Sequence, residues 1–335
     1  MRLSIRAARR PISLIIIALG AMLTSTGRAV CQDVNVHISP RDTQANRNPS
    51  AQESGNHFKP FREDVDLILV PATVTDSMDR LVTGLDKDNF AIYQDKAKES
   101  VQALWSEDSP VSVGIIFDIS GSMNDKVLQA SQAVTEFLKI ANPEDEFFLI
   151  TFSDRPQLVS RFSRKIERIE DKLILTQPKG RTALLDAIYL ALSAMSEARN
   201  KRKALLIISD GGDNHSRYTE REIKSRVEEA DVQIFAVGLF DAVTTTPEEQ
   251  FGPELLSDIT EATGGESFTV SNLNDLPDVA AKIAIALRDE YVLAYKPSIK
   301  PHDGKWHKIR VKLLPPKGLP PLHVSAKKGF YAPPE

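Results

Sequence analysis

The run from Val111 to Phe117 stops in Asp118-Ile119-Ser120-Gly121-Ser122, and that junction constrains the fold more than any other feature of the chain. A largely apolar run of this length, closed by a polar turn that contains glycine, reads as a strand buried in a parallel sheet. The segment after Asn124 reads as a helix. One carboxylate and two hydroxyls therefore leave a strand-to-helix turn, the place where doubly wound sheets bind their ligands. Oxygen-bearing or small residues without Cys or His suit a hard cation such as Mg²⁺. Asp and Ser are also common helix N-caps, so the turn alone does not decide between a cap and a metal site.

Downstream, strand and helix patterns alternate, which implies an α/β, doubly wound, mainly parallel sheet with helices on both faces. Val127, Ala130, Val134, Phe137, Leu138 and Ala141 recur at helical spacing, as do Leu184, Leu185, Ile188, Ala191, Leu192 and Met195. Both stripes are expected to be core. Phe147 to Phe152 and Val232 to Leu239 read as further strands, and Ser153-Asp154-Arg155-Pro156 as a turn into an antiparallel edge strand.

Two more segments complete a pattern. Gly180-Arg181-Thr182-Ala183-Leu184-Leu185-Asp186 precedes a helix, and Ser209-Asp210-Gly211-Gly212-Asp213-Asn214 follows the apolar run Ala204 to Ile208. With Asp118-x-Ser120-x-Ser122, a distant Thr and a distant Asp, residues 109–290 resemble the von Willebrand factor A family and its metal-ion-dependent adhesion site. The flanks resemble the secreted acidobacterial proteins related to that family. The resemblance implies direct metal contact by Ser120, Ser122 and Thr182. For Asp118 and Asp210 it implies contact through water, or direct contact in some states. The ion implied is Mg²⁺, with Mn²⁺ or Ca²⁺ as alternatives.

The flanks divide the rest of the chain. Arg2, Arg6, Arg9 and Arg10 precede the apolar stretch Ile12 to Leu23, and Gly27-Arg28-Ala29 gives small residues for cleavage, so residues 1–29 read as an export signal. Its apolar stretch is too short for a bilayer span. Cleavage would remove five Arg and no acid, taking the formal net charge from −4 to −9, which disfavours nucleic acid and anionic membranes as partners. Cys31 is the only cysteine, so no internal disulfide can form. Its place after the signal allows lipid attachment, but Val30 suits that poorly and a free or intermolecular thiol is the better reading.

Residues 30–60 are polar and aperiodic and are expected to be a disordered tether. Segments 61–108 and 290–331 carry strand patterns: Asp64 to Thr75, with Pro71 implying an edge or a bulge, Phe90 to Tyr93, Val101 to Trp105, Tyr291 to Tyr295, Trp306 to Leu313 and Leu322 to Ala326. Each flank is barely longer than the smallest self-folding domains. They are expected to pair into one small β-sandwich holding the α/β domain, residues 109–289, as an insert. Relatives in the family tend to have an Asp-Gly turn near Gln94-Asp95-Lys96, so Lys96 leaves that turn type open.

Other chemistry finds little support. The six His show no metal-ligand spacing, and no HExxH, P-loop or GxGxxG occurs. His215 reads as a solvated loop residue that could reach the site rim, and Asp125 and Lys126 read as dipole and solvent residues of a first helical turn. Ser120 and Ser122 sit on a strand-to-helix turn as a hydrolase nucleophile does, but the flanking glycines of that elbow are missing. The functional expectation is a secreted or envelope-associated, non-enzymatic adhesion protein that binds an Asp or Glu of a protein partner through the cation. A metal-dependent hydrolase on the same scaffold is the alternative. The long connection Asp241 to Gly252 is expected to form one wall of the ligand site, with Phe251 as an apolar contact.

Overall fold

The computed structural model describes residues 67–106, 109–210, 212–240, 247–298, 303–316 and 318–332, with backbone alone at 247–249. The expected export signal, the tether with Cys31, and loop residues 241–246 lie outside the described residues.

The central sheet is built from β5 (Val111–Asp118), β6 (Glu146–Phe152), β7 (Pro156–Ser163), β8 (Arg202–Ser209), β9 (Gln233–Gly238) and β10 (Ser267–Thr269), in the order β10-β9-β8-β5-β6-β7. All neighbours are parallel except β7, which closes one edge antiparallel to β6. Every residue of β5, β6 and β9 is buried. The reason lies in the two faces: Val113, Ile115 and Phe117 enter one core while Ile116 enters the other, and along β8 Ala204, Leu206 and Ile208 alternate with Leu205 and Ile207 in the same way. Strands covered on both sides need apolar residues at every position, which is why they read as continuous runs.

Helices α1 (Val127–Ile140), α2 (Glu167–Ile174) and α6 (Leu276–Arg288) cover the first face through Val134, Phe137, Ile169, Ile283 and Leu287. Helices α3 (Leu184–Ala194), α4 (Glu220–Glu229) and α5 (Pro247–Thr263) cover the second through Ile188, Ile223, Val227, Leu256 and Ile259. Each such side chain contributes about 1.5–3 kcal/mol by leaving water. Gly114 in β5 marks the tightest packing: a Cβ there would meet Phe148 Cζ at 2.2 Å and Leu205 Cδ2 at 2.6 Å.

The flanks form two antiparallel four-stranded sheets. One is β13-β1-β11-β4 and the other β14-β12-β2-β3, from β1 (Ile68–Asp76), β2 (Phe90–Gln94), β3 (Ala97–Glu99), β4 (Val101–Ser106), β11 (Tyr291–Tyr295), β12 (Trp306–Leu313), β13 (Leu322–Ala326) and β14 (Gly329–Tyr331). Val70, Val74, Phe90, Ile92, Leu293, Tyr295 and Ile309 fill one core between them. Strands from both flanks share each sheet. The chain leaves the sandwich at β4 and re-enters at β11, which pair with each other from Ser106↔Tyr291 onward.

Two local expectations change, and one open turn is decided. Strand β1 is interior, not an edge, yet Pro71 lies in its first half, where only β11 pairs with it; β13 joins from Ala72 onward, so a missing N–H is tolerated there. At Gln94-Asp95-Lys96, Asp95 takes a φ of 52° while Lys96 stays negative, so the turn is not the double left-handed kind that demands glycine. Half of the expected loop 241–252 is helix, because α5 begins at Pro247, a residue preset for a first helical turn.

Candidate metal centre

The chain runs from β5 outward to β6 on one side and from β8 outward to β9 and β10 on the other, so strand order reverses between β5 and β8. A crevice forms at such a switch point beyond the strands' carboxyl ends. Asp118 ends β5 there and Asp210 follows the end of β8, and both are buried.

Asp118 is fixed at both oxygens. Ser209 Oγ donates to Oδ2, and the Ser120 backbone N–H donates to Oδ1 at 2.8 Å. Burial pushes the Asp118 carboxyl up to about 7; the neighbouring charge of Asp210 adds to this and the two serine bonds oppose it. Ser120 Oγ lies 3.0 Å from Ser122 Oγ, and Ser122 Oγ donates to Asp210 Oδ1 at 2.9 Å. Four of the five sequence-derived residues thus form one hydrogen-bonded string.

The serines of the turn do not serve as helix caps. Ser120 is the N-cap of a short 3₁₀ turn at Gly121–Met123, but its side chain makes no cap bond, and α1 is preceded by Lys126, not by a serine or aspartate of the turn. The hydroxyls face the acids and each other, not the helix ends.

Thr182 comes from a separate loop that backbone bonds stitch to the others. Gly121 N–H donates to Gly180 O at 3.0 Å and Lys179 N–H to Ile119 O at 2.8 Å. Thr182 N–H donates to Asn214 Oδ1 at 2.9 Å, while Thr182 O accepts from the N–H groups of Asn214 and His215 at 3.0 and 3.1 Å. These bonds use the backbone of Thr182, not its hydroxyl. Gly180 has a φ of 83°, and a Cβ there would meet Asp154 Oδ2 at 2.7 Å, so this crossing requires glycine.

Lys126 joins the site although its motif does not include it. Its side chain is only 13% exposed, and Nζ donates to Asp210 Oδ2 and Leu239 O, each at 3.2 Å. In the sequence it has the look of a solvent residue because its partner lies 84 positions away. His215 lies half-buried at the rim, with Nε2 3.0 Å from Arg181 Nη2. Phe251 is 64% exposed on α5 and lines a cavity together with Gly212 and Asp213, just past Asp210.

The candidate residues offer two carboxylates and three hydroxyls, all oxygen, a set that suits a hard cation, and two buried acids would gain from one nearby. Among the described residues no group of three or more His, Cys, Asp or Glu is arranged to hold a metal. Any ion here depends on the hydroxyls.

Residues 113–212 match the von Willebrand factor type A domain, a stretch that opens in β5 and closes two residues after Asp210, and so carries the whole candidate centre. No curated protein matches the chain. Among solved structures, the chain is similar to the conserved hypothetical protein BatB from Bacteroides thetaiotaomicron, at 18% identity over 53% of this chain and 100% of that one, with a TM-score of 0.44. It is similar also to the vWF domain of the type V pili tip protein Mfa5 from Porphyromonas gingivalis, at 12% identity over 53% and 95%, TM-score 0.44. A third is proximal thread matrix protein 1 from the mussel byssus, at 17% identity and a TM-score of 0.47, over 58% of this chain and 51% of that one. These likenesses concern the fold. Among the described residues, no helix is long and apolar enough to cross a membrane.

Proposed function

We propose that this chain is a non-enzymatic binding protein, secreted or associated with the cell envelope, whose A domain holds a Mg²⁺-type cation and through it grips an Asp or Glu of a protein partner. The observation that carries this reading is the convergence of three loops at the switch point, with hydroxyls that cap no helix turned toward two buried carboxylates. Ser120, Ser122 and Thr182 would hold the ion as neutral ligands, and Asp118 and Asp210 would hold it through water. When bound, such an ion supplies a positive centre with strong affinity for an incoming carboxylate.

The chain's own residues do the positioning. Ser209 and the Ser120 N–H fix the Asp118 carboxylate, and Lys126 fixes one oxygen of Asp210 while Ser122 takes the other. Neutral hydroxyls leave more of the ion's charge for the partner than carboxylate ligands would. A serine hydrolase most often activates its nucleophile with a neighbouring His, but the hydroxyls of Ser120 and Ser122 bond to each other and to Asp210, and His215 bonds to Arg181. The test is Mg²⁺-dependent binding of a carboxylate probe to the wild type and to Asp118→Ala. Binding that needs both Mg²⁺ and Asp118 supports the reading; turnover of an ester or phosphoester that Ser120→Ala abolishes overturns it.

A further inference from the structure

The metal face is rimmed on one side by cations, on a protein whose formal net charge is −4. Arg155, Lys179, Arg181 and Arg217 are exposed, and His215 is half-buried among them. All five sit close to the bonds that tie the site loops together. Arg155 is two residues from Ser153, whose carbonyl accepts the Ala183 N–H at 2.9 Å; Lys179 bonds to Ile119; Arg181 precedes Thr182; His215 bonds to Thr182 O; and Arg217 is two residues further on.

Two aspartates aim the arginines outward. Asp154 Oδ1 accepts the backbone N–H and Nε of Arg181 at 3.1 and 3.3 Å, and these contacts hold its carboxyl below the usual carboxylate range. Asp186, buried at the head of α3, accepts the Arg217 backbone N–H at 2.9 Å and Nε at 3.1 Å. Anchoring through Nε leaves the forked end of Arg217 toward solvent, its side chain 83% exposed, while Arg181, 62% exposed, has Nη2 against His215. A fork presented this way fits a carboxylate with two parallel hydrogen bonds. Arg155 and Arg217 line one cavity of about 660 Å³ together with Asp186, Tyr189 and His215, with Tyr189 and Tyr218 stacked at 4.1 Å. The acids of this region are anchors, and the charge it turns outward is positive.

We propose that this rim is the recognition wall of the site, and that the partner segment is acidic along its length: one carboxylate faces the ion, and further carboxylates dock on Arg181, Arg217 and Arg155. The inference rests on the adhesion-site reading above and adds the class of partner. It also moves the wall from the connection after β9, which its length, polar groups and Phe251 favoured in the sequence, to the side of the turn at residues 153–156.

The test is calorimetric titration of the full chain in Mg²⁺ with an oligo-glutamate peptide and, separately, with acetate. Oligo-glutamate should bind at least about tenfold more tightly, with a steeper salt dependence than acetate. Arg181→Gln combined with Arg217→Gln should lose about tenfold for oligo-glutamate and leave Mg²⁺ and acetate unchanged. If that variant melts below the wild type, Arg155→Glu carries the same test, because its side chain makes no anchoring bond among the described residues. Equal affinity for the two probes, or a preference that survives these substitutions, overturns the proposal. Absence of Mg²⁺ uptake by the wild type overturns the adhesion-site reading instead; an arginine-dependent, salt-sensitive preference would then still uphold the rim, and its absence would end both.

Discussion

Lys126 shows how one residue can change the chemistry of a site without belonging to its motif. Its ammonium neutralises Asp210 from the side and repels any divalent ion held by the same loops. At the effective dielectric of a half-buried site, a charge a few ångströms away is worth more than a factor of ten. Lys126→Met is therefore expected to bind Mg²⁺ at least about tenfold more tightly in a calorimetric titration; weaker binding would mean that Lys126 acts chiefly by positioning Asp210. Asp118, Ser120, Ser122, Thr182 and Asp210 could be named as candidates from the sequence because the family pattern they resemble sets such residues at strand ends. Lys126 and Arg217 were not, since their roles depend on contacts with residues 84 and 31 positions away, respectively, and His215 was read only as a loop residue able to reach the rim.

Strands and helices were legible in proportion to their burial. The runs in β5, β8 and β9 announce themselves because both faces are core. The three-residue β3 and β14 are too short to show any period, and the start of α5 was hidden in a polar stretch whose Pro247 reads equally as a turn. Gly114 offers the sharpest test of the two-faced packing. Gly114→Ala would press a methyl into Phe148 and Leu205, and should cost about 1–3 kcal/mol by urea unfolding; an unchanged midpoint would show that the rings can move aside. In the sandwich, His307 lies between Asp95 at 2.9 Å and Asp303 at 3.1 Å, and hydrogen bonding to Asp95, with Asp303 adding, raises its pKa above 6.5. The folded state thus binds the proton more tightly than the unfolded chain. The stability from His307 is fully present below pH 6.5 and is lost as pH rises through the raised value. Wild type should accordingly exceed His307→Gln in stability by more at pH 6 than at pH 9, and a pH-independent difference would contradict this.

At the scale of the whole molecule, one arginine spans both crossings between the sandwich and the inserted domain. Arg202, at the start of β8, donates to Ser109 O at 3.0 Å on the way in, and to Leu287 O and the buried Glu290 carboxylate on the way out. Burial raises the Glu290 pKa, and Arg202 opposes that rise. Arg202→Met should destabilise the chain by about 3–5 kcal/mol, because it strands a buried acid and two carbonyls; a loss below about 1 kcal/mol on denaturant unfolding would show that the crossings hold without it. From the sequence, the flanks offered only an argument from size, and their register emerged with the structure. The face opposite these crossings carries the central claim, that three loops hold one ion. Thr182 tests it best, since it lies sixty residues from Ser122 along the chain and joins the site only by the convergence of its loop. Calorimetric titration of Mg²⁺ or Mn²⁺ should show one ion bound by the wild type and a loss of at least about tenfold in affinity for Thr182→Ala, with the melting temperature of the ion-free protein unchanged. Equal affinity in the two proteins, or no ion bound by the wild type, would contradict it.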